Sequence, residues 1–279
     1  MRARKPLIVA GALVAVVLMC SCGRAPDPGP EPPVAATDRR LVARATVLDD
    51  GSGPKLCLGG VMESYPPQCS GPAIDGWTWP DHGTERHGGI TWGSFFVVGT
   101  YDRARFTAER VIDEEKAAAS FPREPEPDFT SPCSEPPGGW RAVDPERSTA
   151  RDQERVFAAA QRLRGYAGAW LDDRGGRRQD PRTSVVNVQV TVDVDAAEAE
   201  LREVWGGPLC VSRAEHTEKE LARIAAEVMS RPGALHASHG RGAVDLGMDY
   251  DDGTLQRELD RRYGTGLVRV HSALQPYRG

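Results

Sequence analysis

The sequence predicts an α+β protein: a small antiparallel β barrel or sandwich, for which an OB-like barrel is one solution, followed by a ferredoxin-like α/β sandwich. Three observations carry this reading. Between positions 38 and 116 the apolar residues come in short bursts cut by glycine and proline. After position 150 they switch between helical spacing and strict alternation. Two proline-rich stretches, 23–37 and 117–150, show neither period. A chain of 279 residues, 39% hydrophobic and 27% charged, has enough material for two small domains. Its net charge of -5, with both signs mixed along its length, lacks the basic stripe of a nucleic-acid binder, so that class is set aside.

Residues 1–22 read as an address. Arg2, Arg4 and Lys5 precede an apolar run from Leu7 to Met19. That run is shorter than the roughly 20 residues a spanning helix needs, so it reads as a secretory signal. Cys22, between small Ser21 and Gly23, resembles the lipobox cysteine of bacterial lipoproteins, whereas Cys20 follows bulky Met19. Lipidating Cys22 with a diacylglyceryl group leaves Cys57, Cys69, Cys133 and Cys210, an even set suited to an oxidising compartment. An ordinary secretory cleavage is the alternative. Residues 23–37 then form an extended tether, about 45 Å long in polyproline II geometry.

The β domain, 38–116, is expected to hold strands within 41–48, 55–62, 73–79, 90–101 and 104–112. Cys57 and Cys69 flank a turn-rich loop, and a bridge there contributes about 3 kcal/mol on the chain-entropy argument. Residues 117–150 read as a surface linker. Cys133 inside it then pairs with Cys210, although four cysteines permit three connectivities.

For 151–279 the spacing predicts a helix from about Asp152 to Leu171, followed by a strand with Val186, Val188, Val190, Val192 and Val194 on one face. A short helix begins at Asp195. Thr217 and Glu220 form a capping box before a helix carrying Leu221, Ile224, Ala225 and Val228. A hairpin over 234–239 and 243–249, a helix over 254–263 and a final strand LVRVHS complete the region. Treating the short helix and Cys210 as an insertion gives the order β, α, β, β, α, β.

The runs LCLGGVMESYPPQCSGP, GSFFVVGTYD, AELREVWGGPLCV and DDGTLQRELDRRYGTGLVRVHSAL resemble uncharacterised lipoproteins of actinobacteria. The resemblance implies secretion and anchoring and brings no activity with it.

Candidate chemistry is sparse. Asp249, Asp251, Asp252 and Asp260 mimic the ends of a calcium loop, but Thr254 stands where the loop requires glycine, so a turn and helix start explain them. His82 and His87, with Asp81 and Glu85, lack the spacing of a zinc site. His216 abuts a helix start and His271 points outward from the last strand. No metal or cofactor is expected. Trp77 and Trp79, placed on one face of a strand, with Trp92 opening the next, either fill the barrel core or form a platform for a ligand.

The expected protein is therefore an extracytoplasmic lipoprotein on the outer face of the cell membrane, a binding or interaction module for an envelope ligand or protein. Two alternatives are an envelope hydrolase with a nonlocal carboxylate site, for which Asp249, Asp251 and Glu258 are the first candidates, and a protease-binding folding or inhibitory module.

Overall fold

In a computed structural model, which describes residues 37–121, 128–174 and 180–279, the chain builds three sheets. The signal, Cys22 and the tether lie outside the described residues. The first sheet holds β1 (Thr37–Asp49), β2 (Pro54–Cys57), β3 (Ala73–Asp75), β4 (Glu85–His87), β5 (Ile90–Tyr101) and β6 (Arg105–Ile112). Its order is β1-β2-β3-β6-β5, with β5 returning to β1 and closing a five-stranded barrel. The pairing of β3 with β6 is parallel. Alternation along β1 explains the closure: Leu41, Ala43, Ala45 and Val47 point inward onto Leu56, Ile74, Val97 and Phe106. On the outside, Val42 packs with Val98, Ile112 and Ala117 of the short helix α1 (Glu114–Ala117).

The chain then continues through two units of identical layout. The first is α2 (Ala150–Ala160), β7 (Tyr166–Asp172), β8 (Val185–Val190), α3 (Val194–Arg202) and β9 (Leu209–Arg213). The second is α4 (Glu218–Met229), β10 (Ala234–Gly240), β11 (Ala243–Met248), α5 (Thr254–Tyr263) and β12 (Val268–Ser272). In each unit the first strand pairs antiparallel with the second, and the third pairs parallel with the second. Thr149 and Thr217 close capping boxes at α2 and α4. Gly165 and Gly233, both at positive φ and equally spaced from those threonines, turn each chain into its first strand. Each first strand carries a register irregularity at its second residue. Each unit buries its own core, around Leu201 and Trp205 in one and around Leu221, Leu246 and Leu259 in the other.

These facts correct several expectations. The strands of the C-terminal region divide between two three-stranded sheets and do not join in a single ferredoxin-like one. The helix expected to reach Leu171 stops at Ala160, because Gly165 reverses the chain and the next residues pair with β8 as β7. Asp193, not Asp195, caps α3 by accepting from the amide of Ala196 at 3.1 Å. Cys210 belongs to β9, which is no insertion. Trp77 and Trp79 lie in the loop after β3, not on a strand.

Residues 35–279 form one compact unit, and the C-terminal region completes the barrel. A last strand, β13 (Leu274–Pro276), pairs with β1 at Leu41, Val42 and Ala43, just beyond the stretch that β2 covers. Leu274 and Tyr250 are buried inside the barrel cluster. Beside them the Tyr101 hydroxyl donates to Asp249 Oδ2 at 2.8 Å in a buried setting. Burial and that carboxylate push the Tyr101 phenol above its ordinary value. The unfolded chain gives up this proton near pH 10, while the folded chain keeps it. The stabilisation is thus fully present below about pH 10 and lost as pH rises above it. Tyr101→Phe is expected to lower stability by about 1–3 kcal/mol at pH 8 and to flatten the fall in urea midpoint between pH 9 and 11. An unchanged alkaline slope would show that Tyr101 does not drive it.

The segment 128–144, within the stretch read as a surface linker, is a strap held at several points. Trp170 Nε1 donates to the Phe129 carbonyl at 2.9 Å, and the Ser131 amide and hydroxyl donate to Asp172 Oδ2. The amides of Val143 and Asp144 donate to the Gly206 carbonyl. Cys133 is bonded to Cys210, with Cα atoms 5.8 Å apart.

Candidate functional site

The second disulfide joins Cys57 to Cys69 across 12 residues, so both pairings occur as the sequence reading had them. Bonded cysteines belong to an oxidising, extracytoplasmic environment. Among the described residues, no helix is long and apolar enough to cross a membrane. The bridged loop folds over the outer face of the barrel, where the disulfide, Leu48, Ile90 and Trp92 form a small cluster. Tyr65 packs edge-on against Trp92 at 5.6 Å and against His87 at 4.9 Å. Trp92 is thereby only 7% exposed.

The three tryptophans, grouped in the sequence as either barrel core or platform, are consequently split. Trp77 and Trp79 meet edge to face at 5.5 Å and rest on Phe95, an inward residue of β5, at 5.3 and 6.5 Å. Trp92 sits on the opposite, outer face. Sequence spacing for Trp77 and Trp79 missed the reason for their placement, which lies in glycines. The carbonyl of Gly83 comes so near Gly93 that a Cβ there would collide with it, and this close approach lets the loop lie across β5.

Trp77 and Trp79 are half-buried and pack against the barrel core. Trp77 packs against the core and also lines a depression of about 190 Å³, together with Gly76, Thr78 and β6 from Ala108 to Val111. Its indole Nε1 is buried and has no hydrogen-bond partner among the described residues. A buried donor left unpaired costs about 1–3 kcal/mol. The depression opens where β3 ends. Arg105 clamps Asp75 across the β3–β6 pair and holds its carboxyl below the usual range. Past this clamp, β6 is paired only with β5. Gly76, at φ 69°, stands where a Cβ would lie 3.0 Å from the Ala108 carbonyl oxygen, so that oxygen faces the gap. The two charges of this edge are drawn aside, Glu109 to Arg40 at 2.9 Å and Arg110 over the Tyr277 ring at 5.2 Å.

A wider hollow of about 410 Å³ lies beside α5, lined by Asp251, Gln256, His271, Ser272 and Gln275 among others. Its polar groups serve the fold. Asp251 accepts from the amides of Leu255 and Gln256 at the start of α5, and its own amide donates to Ser272 Oγ. Gln256 spans to the Val268 carbonyl and the Val270 amide, and Gln275 donates to the Ser272 carbonyl. His271 faces Asp245 at 3.1 Å. The carboxylates considered for hydrolysis are likewise engaged. Asp249 holds Tyr101, and Glu258 forms a two-point pair with Arg231, which keeps the Glu258 carboxyl below its ordinary value. His82 and His87 lie in the loop and short strand beside β5. Among the described residues, no group of three or more His, Cys, Asp or Glu side chains is arranged to hold a metal ion.

No protein-family model matches the chain, and no curated protein matches it.

Proposed function

We propose that the protein is an exported binding module of the cell envelope, held to the outer face of the membrane through a lipid on Cys22, and that the gap between Trp77 and β6 is where it meets its ligand. The five-stranded barrel, which opens where β3 leaves β6, is read as OB-like, a partly open barrel that commonly serves binding. One observation carries the site: Trp77 rests on the core yet borders a surface depression with its indole N–H buried and unpaired. A core tryptophan finds a partner for that group, as Trp205 does with the Pro208 carbonyl at 3.0 Å. We read this unpaired donor, on a side chain that borders an opening, as kept for an acceptor that arrives from outside. The short apolar signal and the cysteine set bonded in two pairs support export. Anchoring rests on the Ser21-Cys22-Gly23 pattern.

The test uses full-length protein in its own membrane. Mass spectrometry of the mature N-terminus is expected to find a diacylglyceryl group on Cys22. A photo-crosslinking phenylalanine at exposed Thr78, which lines the depression, is expected to give a discrete adduct, and the same probe at exposed Ser238 is expected to give none. An unmodified Cys22 would overturn anchoring, and equal labelling at both positions would overturn the site.

A further inference from the structure

The ligand's class follows from the shape of the same gap, and the step rests on the reading of that gap as the binding site. We propose that it takes an extended polypeptide segment, added as a strand along the free edge of β6.

Volume argues first. About 190 Å³ falls short of the roughly 300 Å³ at which pockets begin to bury a small molecule, so the depression cannot enclose one by itself. It suits a single side chain of something longer. Strand addition works in that way: main-chain hydrogen bonds along an edge supply affinity, and small pockets for alternate side chains supply choice.

The edge is available. β3 covers β6 only from Arg105 to Thr107, while β6 runs on to Ile112 with β5 on its other side alone. Strand residues turn their amides and carbonyls alternately to the two sides, and the register irregularity between the Gly99–Ala108 and Val98–Arg110 pairs leaves Glu109 as an extra residue at which this alternation shifts. The Thr107 carbonyl faces Gly99 of β5, and the Ala108 carbonyl faces Gly76 and the gap. Natural edges are usually blunted by charges that project along them. Here Glu109 and Arg110 are already held by Arg40 and Tyr277, and the adjoining Val111 is exposed. With both charges engaged, the edge selects a segment of low charge. A small apolar side chain such as valine enters the depression against Trp77. On this proposal the Trp77 N–H, unpaired in the free chain, donates to one of the incoming carbonyls.

The experiment continues from the adduct at Thr78. Mass spectrometry identifies what is attached, and the attached sequence is made as a ten-residue synthetic peptide. Its binding to the mature chain is measured with each amide N-methylated in turn. Strand addition predicts that methylation at every second residue weakens binding at least tenfold, while methylation at the residues between changes it less than about twofold. A glycan or lipid in the adduct, or a peptide whose N-methyl profile lacks this two-residue period, would overturn strand addition and leave the site standing. No adduct at Thr78 would overturn both.

Discussion

Tyr250→Ala is expected to destabilise the protein by about 3–5 kcal/mol, because it empties the barrel of a large side chain that the second repeat supplies. Tyr250 lies two residues past the end of β11, its side chain belongs to the cluster of Leu41, Phe95 and Phe106, and its carbonyl accepts from Arg103 at 3.1 Å. Arg103 also lies over the Tyr250 ring at 5.8 Å. The barrel and the second repeat are therefore expected to lose stability together. Urea unfolding followed by tryptophan fluorescence and by far-ultraviolet circular dichroism should show one shifted transition with both probes. A loss below about 1 kcal/mol, or two separated transitions, would show that the barrel stands without its C-terminal plug.

Removing the Cys133–Cys210 bridge is expected to cost about 2–5 kcal/mol. The bond closes a loop of 77 residues, and without it the strap is held by hydrogen bonds to Trp170, Asp172, Gly206 and Arg241, by the Arg174–Glu135 ion pair and by Arg241 over the Phe129 ring. The double variant Cys133→Ala/Cys210→Ala should combine a lower urea midpoint with faster proteolysis between residues 128 and 144. If the midpoint stays within experimental error, these noncovalent contacts suffice to hold the strap.

Elements encoded by neighbouring residues were legible in the sequence. The five barrel strands, the 234–249 hairpin, the Thr217 capping box and helix 254–263 each carry their own period and punctuation. Both disulfides followed from counting cysteines and asking which loops they close. What escaped depends on partners far along the chain. Ala167, Trp170 and Leu171 fit helical spacing equally well, and only pairing with β8 makes them a strand. That misreading hid the repeat, because it removed the first strand of the first unit. Leu274 and Tyr250 show nothing locally of belonging to a barrel that begins at Thr37.

The candidate site was half legible. Trp77 stood out as one of two tryptophans spaced for one face of a strand, yet its role depends on how far β3 accompanies β6, a length fixed by pairing and by the Asp75–Arg105 clamp. Trp92 was grouped with it by proximity in sequence, and side-chain alternation along β5, three residues before inward Phe95, sends it to the other face, beneath Tyr65.

The central claim is that Trp77 serves a ligand as well as the core, and Trp77→Phe tests it most directly. Phenylalanine keeps an aromatic ring against Phe95 and removes the unpaired N–H, so the stability change should stay below about 1.5 kcal/mol. In the same cells, the adduct formed by the crosslinker at Thr78 should fall at least tenfold. An undiminished adduct accompanied by a stability loss of about 3 kcal/mol or more would contradict the account and leave Trp77 a core residue only.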